Sequence, residues 1–213
     1  MSYIKSNISI DNMIIKTVKQ HILKRVNDYK YLGSFASSSE KDFNTRKGMA
    51  RSACNDLHKI WTSKLPNRLK VKIFRATIEP ILLYGSETWT LPVRLEKRLD
   101  GCYTRLLMRV QNLSWKKHPT LKVIYGKLVP ASSLVRQRRV QFAGHCQRAS
   151  NEIISSLILW KPRAAGRRGR KLTFPDIISR DTGIRPEDLK AAMEDRDVWK
   201  SFVQSVVSTE VEK

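Results

Sequence analysis

The sequence predicts a mainly α protein: a helical bundle with a small β element at its N-terminus and a small helical module at its C-terminus. Three observations carry that reading. Apolar residues recur every three to four positions through most of the chain after about residue 50. The first forty residues instead set short apolar runs around turn residues. Pro, Thr or Asp stands at the start of most of the periodic stretches. With 41% hydrophobic residues in 213, the chain can build a real core.

The elements follow in order. Ile8, Ile10, Ile14 and Ile15 flank a turn-forming Asp11–Asn12 pair, and the stretch from Asp28 to Gly33 reads as a short strand stopped by Gly33. Residues 34–39 read as a polar loop. Ala50, Cys54, Leu57 and Trp61 then recur at helical spacing. Pro66 opens a second helix from a favoured first-turn position. Its predicted inner face is Leu69, Ile73 and Ala76, beside a basic stripe of Arg68, Lys72 and Arg75. Pro80 is expected to kink or end it. The run from Ile81 to Tyr84, closed by Gly85, fits a buried strand or a helix end equally well.

Thr90 stands ready to cap a third helix beginning near Pro92. Its core face is Leu95, Leu99, Cys102, Leu106 and Val110. A short helix runs from Thr120 to Tyr125, and another from Ser132 to Ala149 with Val135 and Phe142 inward. Residues 151–160 are apolar and fit a short helix or a strand. Thr173 caps a helix to Asp181, with Gly183 as its stop. Pro186 to Met193 is helical, its early Glu187 and Asp188 suiting the helix dipole. Asp195 caps a last helix through Trp199, Phe202, Val203 and Val206.

Charge narrows the function classes. Forty-one basic and 19 acidic residues leave a net charge of +22, which calls for a polyanionic partner, nucleic acid first among them. The excess is uneven: residues 131–171 carry ten basic side chains and one acidic one, whereas residues 172–213 carry six and nine. No window approaches the ~20 apolar residues of a membrane span, and the N-terminus lacks the apolar stretch of a secretory signal. Cys54, Cys102 and Cys146 lie too far apart for a zinc site or a disulfide framework. A reducing intracellular compartment is expected, nuclear or cytoplasmic. No metal or other cofactor is expected.

Catalytic constellations are sparse. There is no Asp-Asp pair of the sort that holds two cations. Asp176, Asp188 and Lys190 match the outline of a restriction-type nuclease, but both carboxylates fall at predicted helix starts, where capping is their expected work. His145 is read as a donor to a buried backbone group. Trp61 and Trp199 lie on apolar faces, whereas Trp115, beside Lys116, Lys117 and His118, is the best candidate for stacking on a base. The basic stripes are the strongest feature. Arg94, Arg98, Arg105 and Arg109 fall within roughly 60° on a helical wheel. Arg136, Arg138 and Arg139 cluster on the next long helix, and Arg163, Arg167, Arg168, Arg170 and Lys171 form a Gly-containing basic arm. Arginine offers phosphate a planar, bidentate fork.

Six stretches then stand in a suggestive order: YKYLGS (Tyr29 to Ser34), IWTSKL (Ile60 to Leu65), ILLYGSETW (Ile81 to Trp89), RRVQFAGHCQR (Arg138 to Arg148), GRRGRKLTFPDI (Gly166 to Ile177) and MEDRDVW (Met193 to Trp199). Together they resemble the C-terminal half of the reverse transcriptases of LINE-type, non-LTR retrotransposons. The resemblance implies the end of a polymerase palm at residues 1–41 and a helical thumb at 42–130. A basic helix and arm at 131–171 and a three-helix module at 172–213 would make up a C-terminal extension. It implies binding to RNA or DNA template, and to the reverse transcriptase's other half. The family's catalytic aspartates lie upstream of YKYLG, so no catalytic residue and no polymerase activity are expected of this chain alone. Two departures stand out: Lys171 replaces a frequent Pro, and Phe174 a frequent Trp. A domesticated protein-interaction module acting through its acidic last helices, a nuclease, and a relic without function are the competing expectations.

Overall fold

The computed structural model describes residues 29–35, 38–149, 152–160 and 173–208. The Ile8–Ile15 region and the basic arm lie outside them. The chain divides into a short N-terminal unit, residues 1–37, and a large unit, residues 38–213. The described part of the first is a two-stranded antiparallel hairpin, β1 (Lys30–Tyr31) and β2 (Ser34–Phe35), paired Lys30 to Phe35 and Tyr31 to Ser34. Its turn places Leu32 and Gly33 at φ of 47° and 86°, the doubly left-handed geometry of a tight hairpin. Gly33 therefore turns the strand back rather than stopping it, and Ser34 and Phe35 pair instead of forming a loop.

The large unit is helical, as its periodicity predicts. It contains α1 (Ser39–Asp56), α2 (His58–Thr62), α3 (Asn67–Leu82), α4 (Val93–Val110) and α5 (Leu121–Tyr125). It continues with α6 (Ala131–Gln147), α7 (Glu152–Ile158), α8 (Phe174–Thr182), α9 (Leu189–Glu194) and α10 (Arg196–Ser208). Ser38 caps α1 by accepting from the Lys41 amide, and Glu40 and Asp42 occupy its first turn. The first core joins α1, α2, α3, α4, α5 and the start of α6 around Phe43, Trp61, Phe74, Leu99, Tyr103 and Val135. All five residues of the predicted α4 core face are buried there.

The inner face of α3 differs from the expected one. Phe74, Ile78 and Leu82 are buried, whereas Leu69 and Ala76 are exposed and Ile73 is half-buried. The buried phase includes Lys70, whose ammonium donates to the Trp61 carbonyl at 2.6 Å. Its long stem fills apolar space while its head finds a backbone acceptor. The helix continues through Pro80 to Leu82, so residues 81–84 are its end, and Gly85 (φ 68°) carries the chain onward. Pro92, not Thr90, precedes α4; the Thr90 amide donates to Ser39 Oγ at 3.1 Å and ties this loop to the start of α1.

The spine of the large unit is α6, which contributes to both cores. Asp100 of α4 closes its first turn, accepting from the Ser132 amide at 2.8 Å and the Ser132 hydroxyl at 2.7 Å. Further along, Val140 and Ala143 enter a second core with Ile178, Leu189, Met193 and Trp199. Phe142 is half-buried and His145 exposed, so neither takes the inward position expected for it. Thr173 donates from its amide and hydroxyl to Asp176 at the head of α8, and Gly183 (φ 74°) ends that helix. Asp195 accepts from the Asp197 and Val198 amides and caps α10 as expected. Residues 152–158 resolve as helix.

The tightest joint is a glycine. The Trp199 indole lies across Gly144 and donates to the Val140 carbonyl at 2.8 Å. A Cβ on Gly144 would stand 2.2 Å from the indole nitrogen. Gly144→Ala is expected to displace Trp199 and to cost about 3 kcal/mol in urea unfolding, since overpacking and a broken buried hydrogen bond combine. A cost below about 1 kcal/mol would show that this joint yields freely.

Candidate nucleic-acid interface

The seven described arginines of the predicted contact set divide by burial. Arg139 is completely buried. Its guanidinium pairs with Asp181 of α8, with Nε to Oδ2 at 2.9 Å and Nη2 to Oδ2 at 2.6 Å. Its Nη1 donates to the Trp89 carbonyl at 2.5 Å. Burial pushes the group below the usual arginine range, and the Asp181 carboxylate opposes that shift. A guanidinium so enclosed has no face left for phosphate, so Arg139 leaves the contact set. Arg136 donates to the buried Glu96 carboxylate at 2.7 Å, and Arg180 reaches the other Glu96 oxygen at 2.7 Å. Arg138 donates to the Leu83 carbonyl at 2.9 Å. Much of the α6 cluster thus joins α6 to α4, α8 and the loop after α3.

The α4 stripe divides as well. Arg98 is bound to Glu40 and donates to Asn44 Oδ1 at 3.1 Å, locking α4 to the start of α1. Arg94, Arg105 and Arg109 are exposed. Arg105 donates Nε to the Gly101 carbonyl of its own helix at 2.9 Å, which holds the side chain along the helix surface. Arg105 and Arg109 then meet a residue that sequence reasoning missed. With Arg51 and Asn55 of α1, they line a cleft of about 360 Å³ floored by Cys102 and Leu106. Among the described residues, no carboxylate lines it. Neither Arg51 nor Arg109 has an ion-pair partner among the described residues. Burial pushes the Cys102 thiol up, although Arg51, Arg105 and Lys47 pull the other way; the floor therefore stays neutral at pH 7.

The α1 side of this cleft was readable. Asn44, Lys47, Arg51 and Asn55 recur at helical spacing, so they share one face. Helix periodicity alone does not say that α4 lies against that face. A second feature adds to the charge: between Asp100 and Glu152 the sequence holds ten Lys or Arg and no acidic residue, three of them the internally bonded arginines of α6. Arg163, Arg167, Arg168, Arg170 and Lys171 lie outside the described residues.

The nuclease outline finds its carboxylates occupied. Asp176 serves the head of α8, and Asp188 pairs with Arg185 at 2.8 Å. Among the described residues, no group of three or more His, Cys, Asp or Glu side chains is placed to hold a metal ion. Nor is any described helix long and apolar enough to cross a membrane.

Against known proteins, the chain is similar to a transposon-derived protein of Caenorhabditis elegans. The two are 22% identical over 202 residues, which covers 85% of this chain and 72% of the relative. That likeness points to a transposon origin. No family model and no solved structure matches the chain.

Like charges without partners repel. Replacing Arg109 by Gln is expected to raise the unfolding free energy by about 0.3 kcal/mol at low salt, because Arg105 and Arg109 are an i, i+4 pair. In 1 M salt the gain should vanish. Urea titrations at the two salt concentrations read this; a decrease in stability at low salt would reveal a structural partner for Arg109.

Proposed function

We propose that the chain binds nucleic acid through the phosphate backbone, without reading sequence, as the thumb and C-terminal extension of a LINE-type, non-LTR retrotransposon reverse transcriptase. The observation that carries the proposal is the cleft between α1 and α4, where Arg51, Arg105 and Arg109 converge with no carboxylate among the described lining residues. A protein gains no stability from such an arrangement. A sugar–phosphate backbone neutralises it, with planar guanidinium forks suited to phosphate oxygens. The likeness to a transposon-derived relative and the six ordered stretches support the placement in a retrotransposon. Arg94 extends the cleft's surface along α4, and the arm (Arg163, Arg167, Arg168, Arg170 and Lys171) reaches further phosphates. The chain's role in this reading is to hold template, in the nucleus or cytoplasm as part of a ribonucleoprotein; no reaction is assigned to it.

Phosphate binding has a measurable signature. Each arginine–phosphate pair that is removed should lower the slope of log affinity against log salt by about 0.9 on duplex DNA. The triple change Arg51→Gln, Arg105→Gln and Arg109→Gln is expected to flatten that slope by about two to three units, on the order of 0.9 for each arginine. It should weaken binding equally for unrelated sequences. Fluorescence anisotropy with two unrelated 20-mer duplexes, from low to moderate salt, checks both. An unchanged slope would remove the cleft from the interface, and a sequence-dependent weakening would contradict backbone recognition.

A further inference from the structure

We infer that the loop after α4 is a stacking platform for an unpaired base, so that the chain's preferred partner is single-stranded rather than fully paired nucleic acid. The inference rests on the proposed nucleic-acid reading and specifies its substrate class. Three of the five tryptophans are buried pillars with bonded indoles: Trp61 donates to the Cys54 carbonyl, Trp89 to Asp42 and Trp199 to the Val140 carbonyl. Trp115 is the opposite. It is 70% exposed, and its ring meets no other aromatic ring and no cation among the described residues. Its large π face is therefore free to take a stacking partner.

The loop that presents Trp115 is well held. Its base is fixed by the Leu113 amide, which donates to the Met108 carbonyl at 2.8 Å, and Leu113 packs on the first core. The turn Trp115–Lys117 is headed by Ser114, whose hydroxyl accepts from the Lys116 amide at 3.3 Å. It is closed by His118 at φ 44°, a left-handed conformation that costs a non-glycine residue energy. An indole on a fixed turn gives up little freedom when a base stacks on it.

Charge selects the occupant. Lys116, Lys117, His118 and Lys122 are all exposed and follow Trp115 closely in sequence, within the acid-free stretch. An exposed π face on a lysine-rich loop suits a base whose own backbone carries phosphate. A duplex hides its base faces except at the ends, so the complement is an unpaired nucleotide. Trp115 stands six positions after Arg109, which keeps their Cα atoms within about 22 Å of each other, a span that a strand of a few nucleotides can cover. Trp160 is exposed too, but it follows an apolar stretch in which Ile153 and Leu157 are also exposed, so it serves as the control.

The test uses the full chain with three fluorescent probes: a dT12 oligonucleotide, an abasic strand of the same length, and a blunt 12-base-pair duplex. Trp115→Ala is expected to weaken dT12 by about ten-fold or more and to leave the abasic strand unchanged. Trp115→Phe should retain dT12 affinity to within about three-fold, since a π face remains. Trp160→Ala should match the wild type. Equal weakening for dT12 and the abasic strand, or none for either, would overturn the inference while leaving backbone binding intact. A wild type that binds none of the three probes would remove the nucleic-acid reading itself. A Trp115-dependent dimer in sedimentation would also overturn the inference, by making a second copy the occupant.

Discussion

The pairing of Arg139 with Asp181 is the constraint on which the large unit depends. Arginine is always charged at neutral pH, and hiding it from water costs several kcal/mol unless a partner is fixed in place. Here the partner lies 42 residues away, at the end of α8. The Trp89 carbonyl takes a second donor and binds the loop before α4 to the same group. Glu96, buried on α4, collects Arg136 and Arg180 beside it. One buried charge cluster therefore sets where α4, α6 and α8 must sit. The packing around it follows, including Trp199 over Gly144.

That cluster also gives one of the nine acidic residues after position 171 a structural task. Asp181 is a counterion for α6, and it lies apart from the arginines of the α1–α4 cleft. The two uses of arginine are separated in space. Those on α6 bond within the protein and hold helices together, whereas those in the cleft are exposed, with no carboxylate among the described lining residues. The excess charge remains available to a partner only because the internal demand is met elsewhere. The stretches that carry the family resemblance fall mostly on the internal side of this division. RRVQFAGHCQR supplies Arg139 and Gly144, MEDRDVW supplies Trp199, and ILLYGSETW supplies Trp89.

Much of the fold was legible because periodicity reports burial directly. The α4 core face, the Thr173 and Asp195 caps and the Gly183 stop are local features with local causes. The α3 face was misread because a lysine occupies a buried position. Lys70 satisfies its ammonium on a carbonyl nine residues away, which no hydropathy pattern encodes. The α6 arginines were misread for a related reason. A basic cluster looks the same in sequence whether its counterions are phosphates or carboxylates about 40 residues distant, and only the tertiary fold separates the two. Arg51 was missed because the cleft is made by two helices, and the contribution of α1 matters only once α4 lies against it. The exposure of Trp115 was legible from its lysine neighbours, since nothing apolar at helical spacing surrounds it.

The most direct measurement is a double-mutant cycle on the buried pair, with Arg139→Met, Asp181→Leu and both together in urea unfolding at pH 7. Asp181→Leu strands the buried Arg139 guanidinium and should cost about 3–5 kcal/mol, whereas Arg139→Met leaves Asp181 paired with Arg180 at 3.2 Å and should cost less. The double change removes both charges and should cost less than the two single costs added together, a large coupling for residues that touch. Costs that simply add would contradict the account, because they would mean that α6 and α8 are held together by something other than this pair.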